Sequence, residues 1–468
     1  MKNKYSYILM ALSILVILNN YRGNAIASPF DNNVEVKEVK ASDDSEESNS
    51  TKGSKVGNFF SKVGTGIKNT YNNVADKASD IKDAVVDKAG DAKDAISKGY
   101  NNVKNKIGSV ISNKKSYINE SIFLPGHESK EMVCQGIAYL PSKVMDAKEQ
   151  CNGNYCRYVL LSYYPKNSNQ PSQIVVVDRK TAKAVKRFPL YKSKGNAYTG
   201  HAGGIAVAGK YLWVASGNKI LGFDVQEIID FIGDTQTQAK AVDGLPKSLD
   251  KLPAKNLTAV KSYSVDSKAS YVSFDGKYIW VGDFTKSSSS SYEPVKHHKI
   301  MGRNCWIAGY LVDSNGYPKS NTQYTYTSGS DKYTVNKPDA VIAMRESVQG
   351  MAVCGNYVAL TVSYGATNSK LAVYNNPLKS DSTEITYKPE GQSKSFKVKA
   401  FELADKKNWV NTVKLAAGAE DLEYDGENLY VTFECSSKNY RTKWSLNPAV
   451  KITENFFLIN PEKVAEAK

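Results

Sequence analysis

From residue 117 onward, short apolar runs rich in Val, Ile, Tyr and Thr alternate with clusters of Gly, Asn, Asp, Ser and Pro. Runs of this kind, bounded by turn residues, predict β-strands. They return in a fixed order. Gln135-Gly136-Ile137-Ala138 precedes Tyr158–Tyr164 and then Gln173–Asp178. Gly203-Gly204-Ile205-Ala206 precedes Tyr211–Val214 and Ile220–Asp224. Ser270-Tyr271-Val272 precedes Tyr278–Val281 and Cys305–Asp313. Gln349-Gly350-Met351-Ala352 precedes Tyr357–Ser363 and Lys370–Tyr374. Glu420-Asp421-Leu422 precedes Leu429–Phe433 and Asn455–Ile459. Aligned at residues 135, 203, 270, 349 and 420, the starts lie 68, 67, 79 and 71 residues apart. Glycines at 209, 276, 355 and 426 turn the first strand into the second. A unit of three or four strands cannot bury both faces alone, so such repeats stack around an axis. The pattern predicts an all-β domain over residues 117–468, a five-bladed β-propeller. A sixth, degenerate blade in residues 226–262 or 376–410 is the alternative count, although neither stretch has the full motif. The last repeat has room for three strands. The apolar run Ser121–Leu124 is suited to supply its missing outer strand and remove an open edge.

Residues 52–116 follow another period. Apolar or small residues recur at alternating spacings of three and four, an α-helical stripe. Val63, Val74, Val85, Ile96 and Ile107 fall at eleven-residue steps, as do Val56, Ile67, Ala78, Ala89, Tyr100 and Ile111. Eleven residues in three turns keep the stripe on one side of a nearly straight helix. The segment contains 13 Lys and 6 Asp, and Tyr71-Asn72-Asn73-Val74 returns as Tyr100-Asn101-Asn102-Val103. Glycines and an Ala/Val stripe predict weak helicity in isolation and firmer helix on a surface or partner. The eleven-residue repeat resembles late-embryogenesis-abundant and apolipoprotein-like helices. That resemblance implies reversible attachment to an anionic membrane or wall polymer, with the lysines adding attraction. A helical spacer or self-association coil is the competing reading.

Ahead of the arm, Lys2 and Lys4, the apolar run Ile8–Leu18 and Ala25-Ile26-Ala27 predict a secretory signal peptide over residues 1–27. Residues 28–51 contain seven acidic residues and two lysines without apolar period, and predict a flexible linker. Export places the protein outside the cytoplasm, secreted or on the cell envelope. There the six cysteines have access to oxidation. Cys151 and Cys156 suit a local disulfide, and others suit buried thiols.

The formal charge of +15 then divides unevenly. The 65 residues of the arm hold +7, the 352 residues from 117 onward hold +10, and the linker is negative. The polyanion partner suggested by the total belongs to the arm. Aromatic and basic residues do not interleave in a nucleic-acid-reading motif, so nucleic acid is not expected as a partner. Four histidines argue against a His-rich metal enzyme.

In general shape the repeats resemble secreted bacterial β-propellers of the NHL and gluconolactonase-like kind. Gluconolactonase-type metal ligands cannot be matched residue by residue, so that activity is not implied. In a propeller the first strand of each blade lines the channel, and polar groups at its start converge on one mouth. Those positions hold Gln135, His201, Ser270, Arg345-Glu346 with Gln349, and Glu420-Asp421. The ring suits a polar small molecule or carbohydrate, or Ca²⁺ held by Glu420, Asp421 and amide oxygens. Hydrogen bonding to water and to one another is the simpler use. His201 could act as a base with Glu420 or Glu346, or bond its own turn. Tyr163-Tyr164 and Tyr364, ending equivalent second strands, could form an aromatic rim. Three functions are therefore expected in turn: a surface-attached binding or scaffold protein, a hydrolase or lyase acting on a carbohydrate or small ester, and a membrane-active secreted factor.

Overall fold

A computed structural model describes residues 117–141, 157–166, 169–234, 249–266, 268–292, 299–328, 331–387 and 394–467. The signal segment, linker, helical arm, Cys151, Cys156 and His297-His298 lie outside the described residues. Among the described residues the chain is mostly β and forms a propeller-like ring. Five antiparallel meanders of four strands each are traced. From inside outward, the first contains Met132–Tyr139, Tyr158–Pro165, Gln173–Asp178 and Lys183–Ser193. The second contains Ile205–Ala208, Tyr211–Ser216, Lys219–Asp224 and Leu257–Ser264. The third contains Tyr271–Phe274, Tyr278–Gly282, Trp306–Leu311 and Ala340–Ala343. The fourth contains Val348–Cys354, Tyr357–Val362, Asn368–Asn375 and Trp409–Ala417. The fifth contains Ala419–Tyr424, Leu429–Phe433, Asn455–Ile459 and, from the other end of the chain, Ile118–Phe123. The run Ser121–Leu124 thus contributes the outer strand of the last sheet.

Each core cluster draws on two consecutive meanders, which is why the middle strands read as apolar on both faces. Leu160, Val176 and Phe188 of the first pack with Leu212, Val214 and Phe223 of the second. Val159, Leu161 and Tyr163 of the first pack with Tyr430 and Phe456 of the fifth, together with Ile122 from the closing strand. Burial of each Leu, Val or Phe contributes about 1.5–3 kcal/mol, and none of the sheets could gain this alone. The innermost strands touch in a closed cycle, first to second and on through fifth to first. Glycine permits that approach. A Cβ on Gly204 would lie 2.5 Å from the backbone N of Val272, and one on Gly350 would lie 2.9 Å from Cα of Asp421.

Neither stretch offered as a sixth blade forms a separate meander among the described residues. Residues 226–262 include most of a helix, Val225–Gly233, whose first turn is capped by Asp224 through a 2.8 Å bond from the Gln226 N–H. They also include most of Leu257–Ser264, the outer strand of the second meander. Residues 376–410 include Thr383–Tyr387 and Phe396–Glu402, which widen the third sheet.

The four described cysteines, Cys134, Cys305, Cys354 and Cys435, are buried free thiols. The Sγ of Cys134 lies 3.2 Å from Thr432 Oγ1, and burial pushes its pKa up to about 12.

Candidate functional site

The inner strands of the first, fourth and fifth meanders are irregular near their starts. Their registers shift between Cys134 and Ile137, between Val348 and Gly350, and between Ala419 and Leu422. A β-bulge re-aims side chains and frees them from the alternation of the strand. Gln135, Gln349, Glu420 and Asp421 all sit in these shifts, which is how polar residues come to stand inside strands packed on both faces.

Two carboxylates organise the polar cluster at these bulges. The Gln349 Nε2 donates to Glu420 Oε1 at 3.3 Å, and the Gln135 Nε2 donates to Glu434 Oε1 at 3.3 Å. Glu434 begins a short 3-10 turn, Glu434–Ser436, directly after the second strand of the fifth meander. Its N–H donates to the Gly418 carbonyl at 2.7 Å, and Gly418 occupies the left-handed region at φ +66°. The Tyr164 hydroxyl reaches Glu434 Oε1 at 3.5 Å and the Tyr440 hydroxyl at 3.3 Å. The Lys166 ammonium lies 3.5 Å from the centroid of the Tyr440 ring.

Burial and the nearby charges of Glu434 and Asp421 hold Glu420 well above the ordinary carboxylate range. Burial likewise pushes Glu434 up to about 6, while Tyr440, Lys166, Tyr164 and Gln135 limit the rise. A carboxyl so placed exchanges a proton near neutrality and is surrounded by groups that recognise its charged form.

Asp421 has a different position. It is wholly buried, and its Oδ2 accepts the Ile137 N–H at 3.2 Å and the Ile205 N–H at 3.0 Å. One side chain of the fifth meander thereby fastens the inner strands of the first and second. Burial raises its pKa despite the backbone bonds from Ile205, Ile137 and Leu422.

His201 is exposed, and its ring stacks on Tyr164 with centroids 4.2 Å apart and an 11° interplanar angle. Partial removal of the ring from water and the charge of Lys166 lower its pKa below the ordinary histidine value. Ala202, next in sequence, has φ +48° and donates its N–H to the Tyr198 hydroxyl. Ser270 bonds within its own meander, accepting the Phe284 N–H at 2.9 Å and donating to Asp283 at 3.3 Å. Glu346 accepts the N–H and hydroxyl of Ser287. The structure therefore pairs Gln349 with Glu420 and Gln135 with Glu434, sets His201 over Tyr164, and engages Ser270 and Glu346 with loops of the third meander.

Tyr164 and Tyr364 differ in setting despite equivalent positions. Tyr164 is buried over Glu434, whereas Tyr364 is exposed beside Phe284, Tyr292 and the Lys286 ammonium. Tyr163 points into the core and donates to the Pro125 carbonyl at 2.6 Å. Glu434, Tyr440 and Lys166 lie outside the repeated motif at the inner-strand starts. The available signal was position: Glu434 directly follows a second strand, as the tyrosine pair Tyr163-Tyr164 ends another.

No protein-family model matches the chain, and no curated protein matches it in sequence. Among solved structures it is similar to the glutaminyl cyclase of Myxococcus xanthus, at 6% identity and a TM-score of 0.33, covering 74% of this chain and 95% of that one. It is similar to BamB from Moraxella catarrhalis, at 8% identity and a TM-score of 0.25, covering 70% and 85%. A third likeness is to the WD40 domain of coronin from Toxoplasma gondii, at 9% identity and a TM-score of 0.26, covering 67% and 72%. Each is a distant likeness of shape, and the ring itself is defined by the strand pairing of this chain.

Proposed function

We propose that this chain is an exported five-bladed β-propeller that binds a polar ligand at its mouth and is held to a surface by residues 52–116. The observation behind the binding site is the pair of carboxylates Glu420 and Glu434, each bonded by one glutamine, with Tyr164 and Tyr440 beside Glu434. Buried acids next to amide and phenol groups favour a ligand that brings donors, such as an amino group or a row of hydroxyls. The Tyr164–His201 stack offers an aromatic surface beside it. An amino sugar or another amine-bearing carbohydrate has both features. The test is calorimetry of the full chain against a panel of amino sugars, neutral sugars and small amines. Glu434→Gln and Gln135→Ala each weaken the best ligand by tenfold or more, about 1.4 kcal/mol. Affinity unchanged in both variants, or no ligand in the panel, counts against the mouth as the site.

Catalysis is the second reading, favoured by the pKa of Glu434 near 6. It requires turnover of glycan or lactone substrates that Glu434→Gln abolishes. Surface attachment rests on the basic eleven-residue repeat. Co-sedimentation of the full chain with anionic vesicles at low salt supports it, and equal binding to neutral vesicles or none removes it.

A further inference from the structure

The three register shifts that hold Gln135, Gln349, Glu420 and Asp421 share a feature on the strand opposite. Ser162 faces the shift between Cys134 and Ile137, Thr361 pairs with Gly350 beside the shift of the fourth meander, and Thr432 faces the shift between Ala419 and Leu422. All three are hydroxyl residues with no exposed surface. The equivalent places in the second strands of the second and third meanders are Ala215 and Gly282, and there the inner pairings run without a shift. A larger residue is excluded at Gly282, because Cζ of Tyr271 would lie 2.0 Å from its Cβ. Among the described residues, hydroxyl and shift thus occur together in three meanders and are both missing from the other two.

Each hydroxyl also reaches forward to the next meander. Ser162 accepts the Gly136 N–H at 2.7 Å and donates to the Ala202 carbonyl at 2.7 Å. Thr361 donates to the Glu420 carbonyl and lies 3.5 Å from the Gly350 carbonyl. Thr432 Oγ1 lies 3.2 Å from Cys134 Sγ. A hydroxyl carries one proton and two lone pairs, so it can meet a backbone group freed at a bulge and still bond a second strand. The forward partners are Ala202, which follows His201, Glu420 itself, and Cys134, which precedes Gln135. Downstream of Ala215 and Gly282 stand Ser270 and Glu346, and these two bond loops of the third meander instead.

We propose that Ser162, Thr361 and Thr432 are positioning residues that set the starts of the second, fifth and first inner strands and so build one polar arc that meets a ligand. These three strands are neighbours in the ring. The role of the arc toward a ligand rests on the binding reading above, whereas the positioning of its strands rests on the hydrogen bonds alone. Thr361 shows the device most directly. It grips the backbone of Glu420, whose carboxylate accepts Gln349 Nε2 at 3.3 Å, and its hydroxyl lies within reach of Gly350, the residue after Gln349. Loss of the hydroxyl frees both ends of that contact while the apolar packing of the side chain stays.

The test uses the full chain and Thr361→Val, which keeps the shape and removes the donor. Hydrogen exchange read by mass spectrometry quickens by about tenfold in residues 419–422 and is unchanged in the first meander. Thr361→Ser restores the slow exchange. The best ligand of the calorimetry panel binds about tenfold more weakly to Thr361→Val and with wild-type affinity to Thr361→Ser. Ser162→Ala gives the matching change around Ala202, and decides if Thr361→Val does not fold. Exchange that quickens evenly through the fourth and fifth meanders, or not at all, overturns the positioning role. Undiminished affinity in a variant with quickened exchange overturns the arc as the side that meets the ligand. Quickened exchange with no ligand in the panel supports the positioning and counts against the binding reading instead.

Discussion

Glu434 shows how a residue proposed to meet a ligand is costly to the fold. Its folded pKa of about 6 lies above the usual value of 4.5, so the folded state holds the proton more tightly. Its contribution to stability is present below pH 4.5 and lost as pH rises toward 6. A shift of this size corresponds to about 2 kcal/mol as an upper bound. Glu434→Gln is therefore expected to be more stable than the wild type at pH 7 and similar at pH 4. Urea denaturation at the two pH values reads this directly. Asp421, whose pKa burial raises in the same direction, nonetheless supports the fold through its backbone bonds. Asp421→Ala strands the N–H groups of Ile137 and Ile205 inside the ring, at about 1–3 kcal/mol each. Asp421→Asn keeps an accepting oxygen and loses far less, so the difference in denaturation midpoint between the two isolates the backbone clamp.

Among the elements, the inner strands were the most legible in the sequence, because their starts repeat at similar spacing and three of the five contain glycine. That repetition has a physical cause: a neighbouring backbone passes where a Cβ would stand. Gly204→Ala is expected to lower stability by several kcal/mol, since Val272 N and Tyr271 Cα cannot both retreat. Thermal melts followed by circular dichroism check this. The bulges were legible only as polar residues out of place, without the register shifts that explain them. Glu434 was legible only by its position after a second strand, and Tyr440 sits in a short helix outside the repeated motif.

On the scale of the whole molecule, stability comes from packing between sheets, with free thiols buried among them. Reductant is expected to leave the core unchanged, and Cys134, Cys305, Cys354 and Cys435 are expected to react with a thiol reagent only after unfolding. Labelling in the native and denatured states, read by mass spectrometry, checks both statements.

The closing strand also fixes where force enters. Residues 1–116 continue directly into Tyr117 and Ile118, the beginning of the strand that seals the ring. Any pull transmitted along the N-terminal segment loads the antiparallel seam against Asn455–Ile459 before it reaches another sheet. The seam has cross-links suited to that load: Arg179 to Glu120 at 2.7 Å, Asn119 to Asn428 at 2.8 Å and Asn455 to Ser121 at 2.6 Å. They join the strand to the first meander and, at two places, to the rest of the fifth. A tether attached there would test the closure of the whole circle, and rupture of this one seam would open it.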